Sequence, residues 1–220
     1  ERSVSLSATP IPVAEDLQRT LYTAVPRIVL TSATLSTGNG FSYIRQRLGL
    51  PEHTRTLQLK SPFDYKTRTV LYVPGGGFPE PASVGYETAL CQEIEALLKI
   101  TRGRALVLFT SFKGMDLVAE YLSSTLQYPL LVQGTASRSR LLERFRKQTD
   151  SVLLAVASFW EGVDITGESL SGVIIDKLPF EVPSDPVVQA RMQAIKEAGG
   201  NPFFDFQIPR AVLSLRQGVG

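Results

Sequence analysis

The sequence predicts an α/β fold, a mostly parallel sheet with helices on both faces. Two observations predict it. Six short β-branched runs are apolar nearly throughout rather than alternating, which is the pattern of strands covered on both sides. Amphipathic windows lie between them with short connections, so strand and helix alternate along the chain. The composition allows such a core: 43% of the 220 residues are hydrophobic and 20% charged, a balance unlike that of a disordered chain.

In chain order, the apolar runs are residues 27–31, 69–73, 105–110, 130–132, 151–157 and 172–176. The first helical window, 86–100, places Leu90, Ile94, Leu97 and Leu98 on one face, and the second, 113–123, does the same with Leu117, Val118, Tyr121 and Leu122. Windows 137–147 and 185–197 follow with similar spacing, and a short helix is expected around Tyr43, Ile44, Arg45 and Leu48. Two stretches break the rhythm. Residues 74–81, with three adjacent glycines among prolines, read as a plain loop, because no Lys-Ser or Lys-Thr follows to make a phosphate loop. Residues 178–186 are a proline-studded link in which Asp185 caps the next helix and Pro186 takes its first position.

Several function classes are excluded at this level. Lys plus Arg number 23 and Asp plus Glu 21, a formal charge of +2, so no half of the chain is a strongly basic surface. A single cysteine, Cys91, leaves no internal disulfide and no cysteine-clamped metal cluster, and a single histidine, His53, argues against histidine-rich metal sites and histidine-based triads. No metal ligands are assigned. The longest apolar run, 152–157, is too short to span a bilayer, and the start of the chain has no signal-peptide core, so a cytoplasmic location without membrane contact is expected.

In an open parallel sheet, ligands bind beyond the carboxyl ends of the strands. Four such ends carry small hydroxyls, glycines and acids: Thr31-Ser32-Ala33-Thr34-Leu35, Thr110-Ser111-Phe112-Lys113, Gln133-Gly134-Thr135, and Ser158-Phe159-Trp160-Glu161-Gly162-Val163-Asp164. Hydroxyls and free N–H groups there suit phosphates, of a small substrate or of a nucleic-acid backbone. Each cluster alone is equally an ordinary helix cap or turn.

Taken together, the series resembles the signature motifs of superfamily 2 helicases, most closely the DinG and XPD-like DNA helicases. Residues 31–35 are similar to their motif III, residues 105–112 to motif IV, and 158–164 to motif V in its DinG-like form. Residues 174–180 resemble the segment after motif V, and Gln217-Gly218-Val219-Gly220 the opening of motif VI. The resemblance covers nearly the whole chain in order. No Gly-x-x-x-x-Gly-Lys-[Ser/Thr] loop and no Asp-Glu-Ala-His box occur in it, and no motif VI arginine follows Gly220.

The resemblance implies a RecA-like three-layer fold, with residues 1–60 as the end of a first motor domain carrying motif III and its connection, including a terminal strand segment. Residues 61–220 would be the second motor domain, cut within motif VI. ATP and Mg²⁺ would sit in a site shared with a missing upstream domain, which alone would hold any iron–sulfur cluster. Glu161, Gly162, Asp164, Gln217 and Gly220 would face the nucleotide, with Asp164 accepting from the ribose and Gly162 allowing close backbone approach. Thr31, Ser32, Ala33 and Thr34 would couple nucleotide state to strand grip. Thr110, Ser111, Phe112, Gln133, Gly134, Ser158 and Trp160 would hold single-stranded DNA, the two aromatics by stacking unless they pack in the core.

The basic stretch Arg138, Arg140, Arg144, Arg146 and Lys147 reads first as the solvated face of an amphipathic helix. On this reading the chain is the C-terminal half of an ATP-dependent helicase, monomeric, translocating 5′ to 3′ in DNA repair or replication-conflict removal. By itself it would not hydrolyse ATP, as no catalytic set is complete within it. The alternative is a helicase-like module that binds nucleic acid or a partner without ATP hydrolysis.

Overall fold

The structure, a computed structural model, describes residues 6–38, 40–156, 159, 165 and 167–219. The chain divides into two compact units, Glu1–Tyr65 with Phe180–Arg216, and Lys66–Pro179 with Gln217–Gly220.

The second unit contains a four-stranded, all-parallel sheet in the order β2-β3-β1-β4. Its strands are β1 (Ala105–Phe109), β2 (Leu130–Val132), β3 (Val152–Val156) and β4 (Gly172–Ile175). Both faces are covered, as the unbroken apolar runs require. Ala105, Val107 and Phe109 of β1 join Val152, Leu154 and Val156 of β3 in one core, and Leu106 and Leu108 join Leu153 and Ala155 in the other. The first core is closed by helices α4 (Tyr86–Thr101) and α5 (Phe112–Thr125), through Leu90, Ile94, Leu98, Met115, Val118 and Leu122. The second is closed by α6 (Arg138–Lys147), which buries Leu141 and Phe145. The arginines of α6 lie on its exposed side, as its amphipathic spacing predicts.

Helix α4 stops where the backbone turns left-handed at three successive residues, Arg102, Gly103 and Arg104 (φ 55°, 71° and 44°). The Gly103 N–H returns to the Leu98 carbonyl at 3.0 Å. A Cβ on Gly103 would meet the Asp150 carbonyl oxygen at 2.0 Å, so this turn accepts glycine alone.

The first unit is helical. Helix α1 (Val13–Leu17) runs into a π-helical turn, Gln18–Tyr22, and α2 (Ser42–Leu48) follows. Side chains from the first segment satisfy carbonyls at the end of α2: Gln18 donates to Gly49 at 3.1 Å and Tyr22 to Leu48 at 2.8 Å. A single turn, α3 (Tyr65–Arg68), lies at the boundary of the two units. Helix α7 (Pro186–Glu197) begins as its sequence dictates, with the Asp185 carboxylate accepting from the N–H groups of Val187 and Val188 and Pro186 in the first turn. A second π-helical turn, Phe203–Gln207, leads into α8 (Ile208–Val219), a helix the sequence windows do not include.

Two expected strands are absent from the sheet. Residues 27–31 and 69–73 adopt no strand, and Val29 and Val70 are 89% and 90% exposed. A β-branched run becomes a strand only where a neighbouring strand accepts its hydrogen bonds, and neither run has one among the described residues. Residues 74–81 form the loop expected, closed by Phe78 N–H to the Gly75 carbonyl at 3.2 Å and anchored by the Phe78 ring edge-on to Tyr86. The adjoining groove includes the Glu93 carboxylate, which accepts from Tyr72 at 2.6 Å and makes poor company for a phosphate.

Candidate nucleic-acid interface

Between β3 and β1 the strand order reverses: β1 is followed in sequence by β2 on one side of the sheet, whereas β3 is followed by β4 on the other. A crevice at such a switch point is where α/β sheets place ligands. The loops after β1, β2 and β4 therefore set the described part of the candidate site.

After β1, Thr110 is fastened to Asp176, the residue after β4. The Thr110 N–H donates to Asp176 Oδ1 at 3.0 Å and its hydroxyl to Oδ2 at 3.3 Å. The Asp176 side chain is only 1% exposed, and Lys177 Nζ stands 3.8 Å from Oδ2. Burial pushes this carboxyl above the ordinary aspartate value, against the opposing pull of Lys177 and the Thr110 hydrogen bonds. Its own N–H donates to the Leu108 carbonyl at 3.1 Å and its carbonyl accepts from the Tyr86 hydroxyl at 3.3 Å. Asp176 thus locks the carboxyl ends of β1 and β4 together. The sequence holds the signal for it, an acid at a strand end opposite a Thr at the neighbouring strand end, but the pairing of β1 with β4 is needed to read it.

Ser111 caps α5, its hydroxyl accepting from Gly114 N–H at 3.2 Å. Phe112 opens the helix and is 56% exposed. The alternative of core packing does not hold for it. The result is a hydroxyl, a helix N-terminus and an open aromatic face in three successive residues.

After β2, Gln133 is half-buried, and its side-chain oxygen accepts from Val156 N–H at 2.9 Å while its own N–H donates to Leu154 at 2.9 Å. It therefore stitches β2 to the end of β3, and only its amide NH₂ remains to meet a ligand. Gly134 has φ +97° with open space around the position of a Cβ. Its positive φ makes the turn after β2.

Residues 31–34 form a hydroxyl turn: Ser32 Oγ accepts from Thr34 N–H and lies 3.1 Å from Thr34 Oγ1. Thr31, Ser32 and Ala33 are exposed. Two residues further, Ser36 is buried and held by Arg216 of α8, whose Nη1 donates to its carbonyl and, at 3.2 Å, to its hydroxyl; Gln58 donates to the same hydroxyl at 3.3 Å. Gln217, next to Arg216, is exposed. Arg216 is a connection that motif reading passes over, because it precedes the motif by one residue. Ser158, Trp160, Glu161, Gly162, Asp164 and Gly220 lie outside the described residues.

Among the described residues no group of acids, cysteines or histidines could hold a metal ion, and no helix is long and apolar enough to cross a membrane. Cys91 is buried, and burial raises its thiol pKa, so nothing marks it as reactive.

A parallel α/β sheet with hydroxyls, an amide and a solvent-facing aromatic at its strand ends defines a class of ligand-binding α/β domains, and comparison narrows it. Residues 94–220 match the model of the helicase C-terminal domain, and the chain belongs to that family. It is similar to the ATP-dependent DNA helicase YoaA of Haemophilus influenzae, with 41% identity over 219 residues, covering 100% of this chain and 34% of that protein. It is also similar to the ATP-dependent helicase DinG of Mycobacterium tuberculosis, 38% identical over 218 residues that cover 98% of this chain and 32% of that protein. With the 3′-5′ exonuclease DinG of Bacillus subtilis it shares 32% identity over 228 residues, covering 100% of this chain and 24% of that protein. The chain thus spans about a third of the length of the first two relatives and less of the last. Family and α/β architecture agree with the expectation drawn from the motifs.

Proposed function

We propose that this chain is the second motor domain of an ATP-dependent DNA helicase and holds single-stranded DNA along the carboxyl ends of its sheet, with residues 1–60 belonging to the end of the first motor domain. The observation that carries the reading is the cluster after β1. The Phe112 ring is open for a base to stack on, Ser111 and the first N–H groups of α5 are placed for a phosphate, and Asp176 fixes the loop that carries them. Such contacts grip a strand without reading its sequence, as a motor requires. The names of the relatives, two of them ATP-dependent helicases, support the same reading.

In this scheme Glu161, Gly162, Asp164, Gln217 and Gly220 face ATP and its Mg²⁺, whose acidic ligand and phosphate loop come from an upstream domain. Residues 31–34 couple nucleotide state to grip. The tie from Arg216 to Ser36 would carry movement between the end of motif III and the start of motif VI. Gln133, Gly134, Ser158 and Trp160 extend the strand path. The protein is cytoplasmic and works as a monomer, moving 5′ to 3′.

The test is ATP hydrolysis with and without single-stranded DNA, on the 220 residues alone and on the chain joined to an upstream motor domain. The 220 residues contain no phosphate-loop motif, so no turnover is expected from them, and strand-stimulated turnover is expected from the joined protein. Unwinding of duplexes bearing a 5′ but not a 3′ single-stranded tail fixes the direction. Turnover by the 220 residues alone overturns the assignment of the ATP site.

A further inference from the structure

Within the first unit, three helices bring together more positive charge than the described residues neutralise. Helix α2 supplies Tyr43 and Arg47, one turn apart and hence on one face, α7 supplies Arg191, and α8 supplies Arg210. The charged groups that act on the Tyr43 hydroxyl are these three arginines and one carboxylate, Glu181. That carboxylate is already engaged: Arg210 grips it through Nε and Nη2. Gln207 fixes its place in the chain, accepting from the Glu181 N–H at 3.0 Å and donating to its carbonyl at 3.5 Å.

Arg47 and Arg191 have no ion-pair partner among the described residues, although both are partly buried. Two buried polar atoms in the same cluster, Tyr43 Oη and Arg191 Nε, make no hydrogen bond. Burial, with Arg191 and Arg210 as like-charged neighbours, lowers the pKa of Arg47 against the opposing effect of Tyr43. Buried donors without an acceptor and clustered guanidiniums without counter-charge are both unfavourable, and a single ligand removes both problems if it carries negative charge on several oxygens. Water satisfies the donors but leaves the charge. A phosphate group does both, since guanidinium forks match its oxygens and a phenol O–H adds a third direction.

We propose that Tyr43, Arg47 and Arg191 form a binding site for a phosphate oxyanion, with Arg210 held at its edge by Glu181. The site lies in the first unit and stands independently of the strand grip assigned to the second. Its phosphate comes either from a nucleic-acid backbone or from a free ion.

The experiment measures the thermal midpoint of the full chain in inorganic phosphate against chloride at matched ionic strength, for the native protein and for Arg191→Gln, Arg47→Gln and Glu181→Gln. Circular dichroism checks that each variant is folded. Phosphate is expected to raise the native midpoint saturably, the rise to vanish in Arg191→Gln and Arg47→Gln, and to grow in Glu181→Gln, which frees Arg210. The second arm is anisotropy of a labelled oligothymidylate over a range of salt. A slope of log K against log salt shallower by about one in Arg191→Gln assigns the phosphate to a strand, and an unchanged slope alongside the midpoint effect assigns it to a free ion. Equal phosphate response in native and variant proteins, or none, with an unchanged slope, overturns the proposal. Loss of strand affinity in Phe112→Ala alone, with the arginine variants silent, leaves the strand-grip reading intact while this one fails.

Discussion

Asp176 couples the ends of β1 and the edge strand β4 through a carboxylate sealed from solvent, whose two oxygens both bond Thr110 while Lys177 Nζ stands 3.8 Å from Oδ2. Asparagine keeps both hydrogen bonds, with its oxygen facing the Thr110 N–H and its NH₂ facing the hydroxyl, and it carries no charge to desolvate. Asp176→Asn is therefore expected to be neutral or stabilising, whereas Asp176→Ala leaves the Thr110 N–H without its acceptor and costs about 1–3 kcal/mol, both read from urea denaturation. The pH dependence follows from the raised pKa. Between the ordinary aspartate value of the unfolded chain and the higher folded value, the folded state holds the extra proton. The stability due to this group is thus greatest below that window and falls as pH rises through it, and Asp176→Asn is expected to abolish that component.

Phe112 is the converse case, a ring with little packing to lose. Phe112→Ala is expected to leave stability within about 0.5 kcal/mol and to weaken single-strand affinity by about 1–3 kcal/mol, measured by anisotropy. At this scale the sequence was legible for types and positions but not for partners. Thr110, Ser111 and Gln133 were all readable as polar strand ends, yet that Gln133 caps β3 and Thr110 binds Asp176 depends on which strands are neighbours, and spacing along one chain does not encode that.

Elements carry a clearer signal. The runs that became β1 and β3 are apolar at every position because both faces are covered, and the sequence shows this directly. Residues 27–31 and 69–73 carry the same signal but lie outside the sheet, since propensity specifies a shape and not a partner. Helix α8 carries a weaker signal, since Pro209 in its first turn has the character of a breaker although it is tolerated there. The turn after α4 offers a sharp test. Gly103→Ala forces a side chain into both a left-handed φ and the Asp150 carbonyl, and a loss well above about 1 kcal/mol is expected in the denaturation midpoint.

For the molecule as a whole, family and α/β class are legible because motif order survives in the sequence, whereas contacts between segments far apart in the chain are not. Residues 180–216 group with the start of the chain, far away in sequence, and contacts such as Arg216 to Ser36 hold that unit together. The net charge of +2 supplies little general attraction for nucleic acid, so any strand affinity has to come from placed groups. The measurement that tests this most directly is anisotropy of the chain with labelled single-stranded and duplex DNA at low and moderate salt. The expected result is salt-sensitive binding that prefers the single strand and weakens in Phe112→Ala. Equal affinity for duplex and single strand, indifferent to Phe112, would contradict the assignment of the strand path to the carboxyl ends of the sheet.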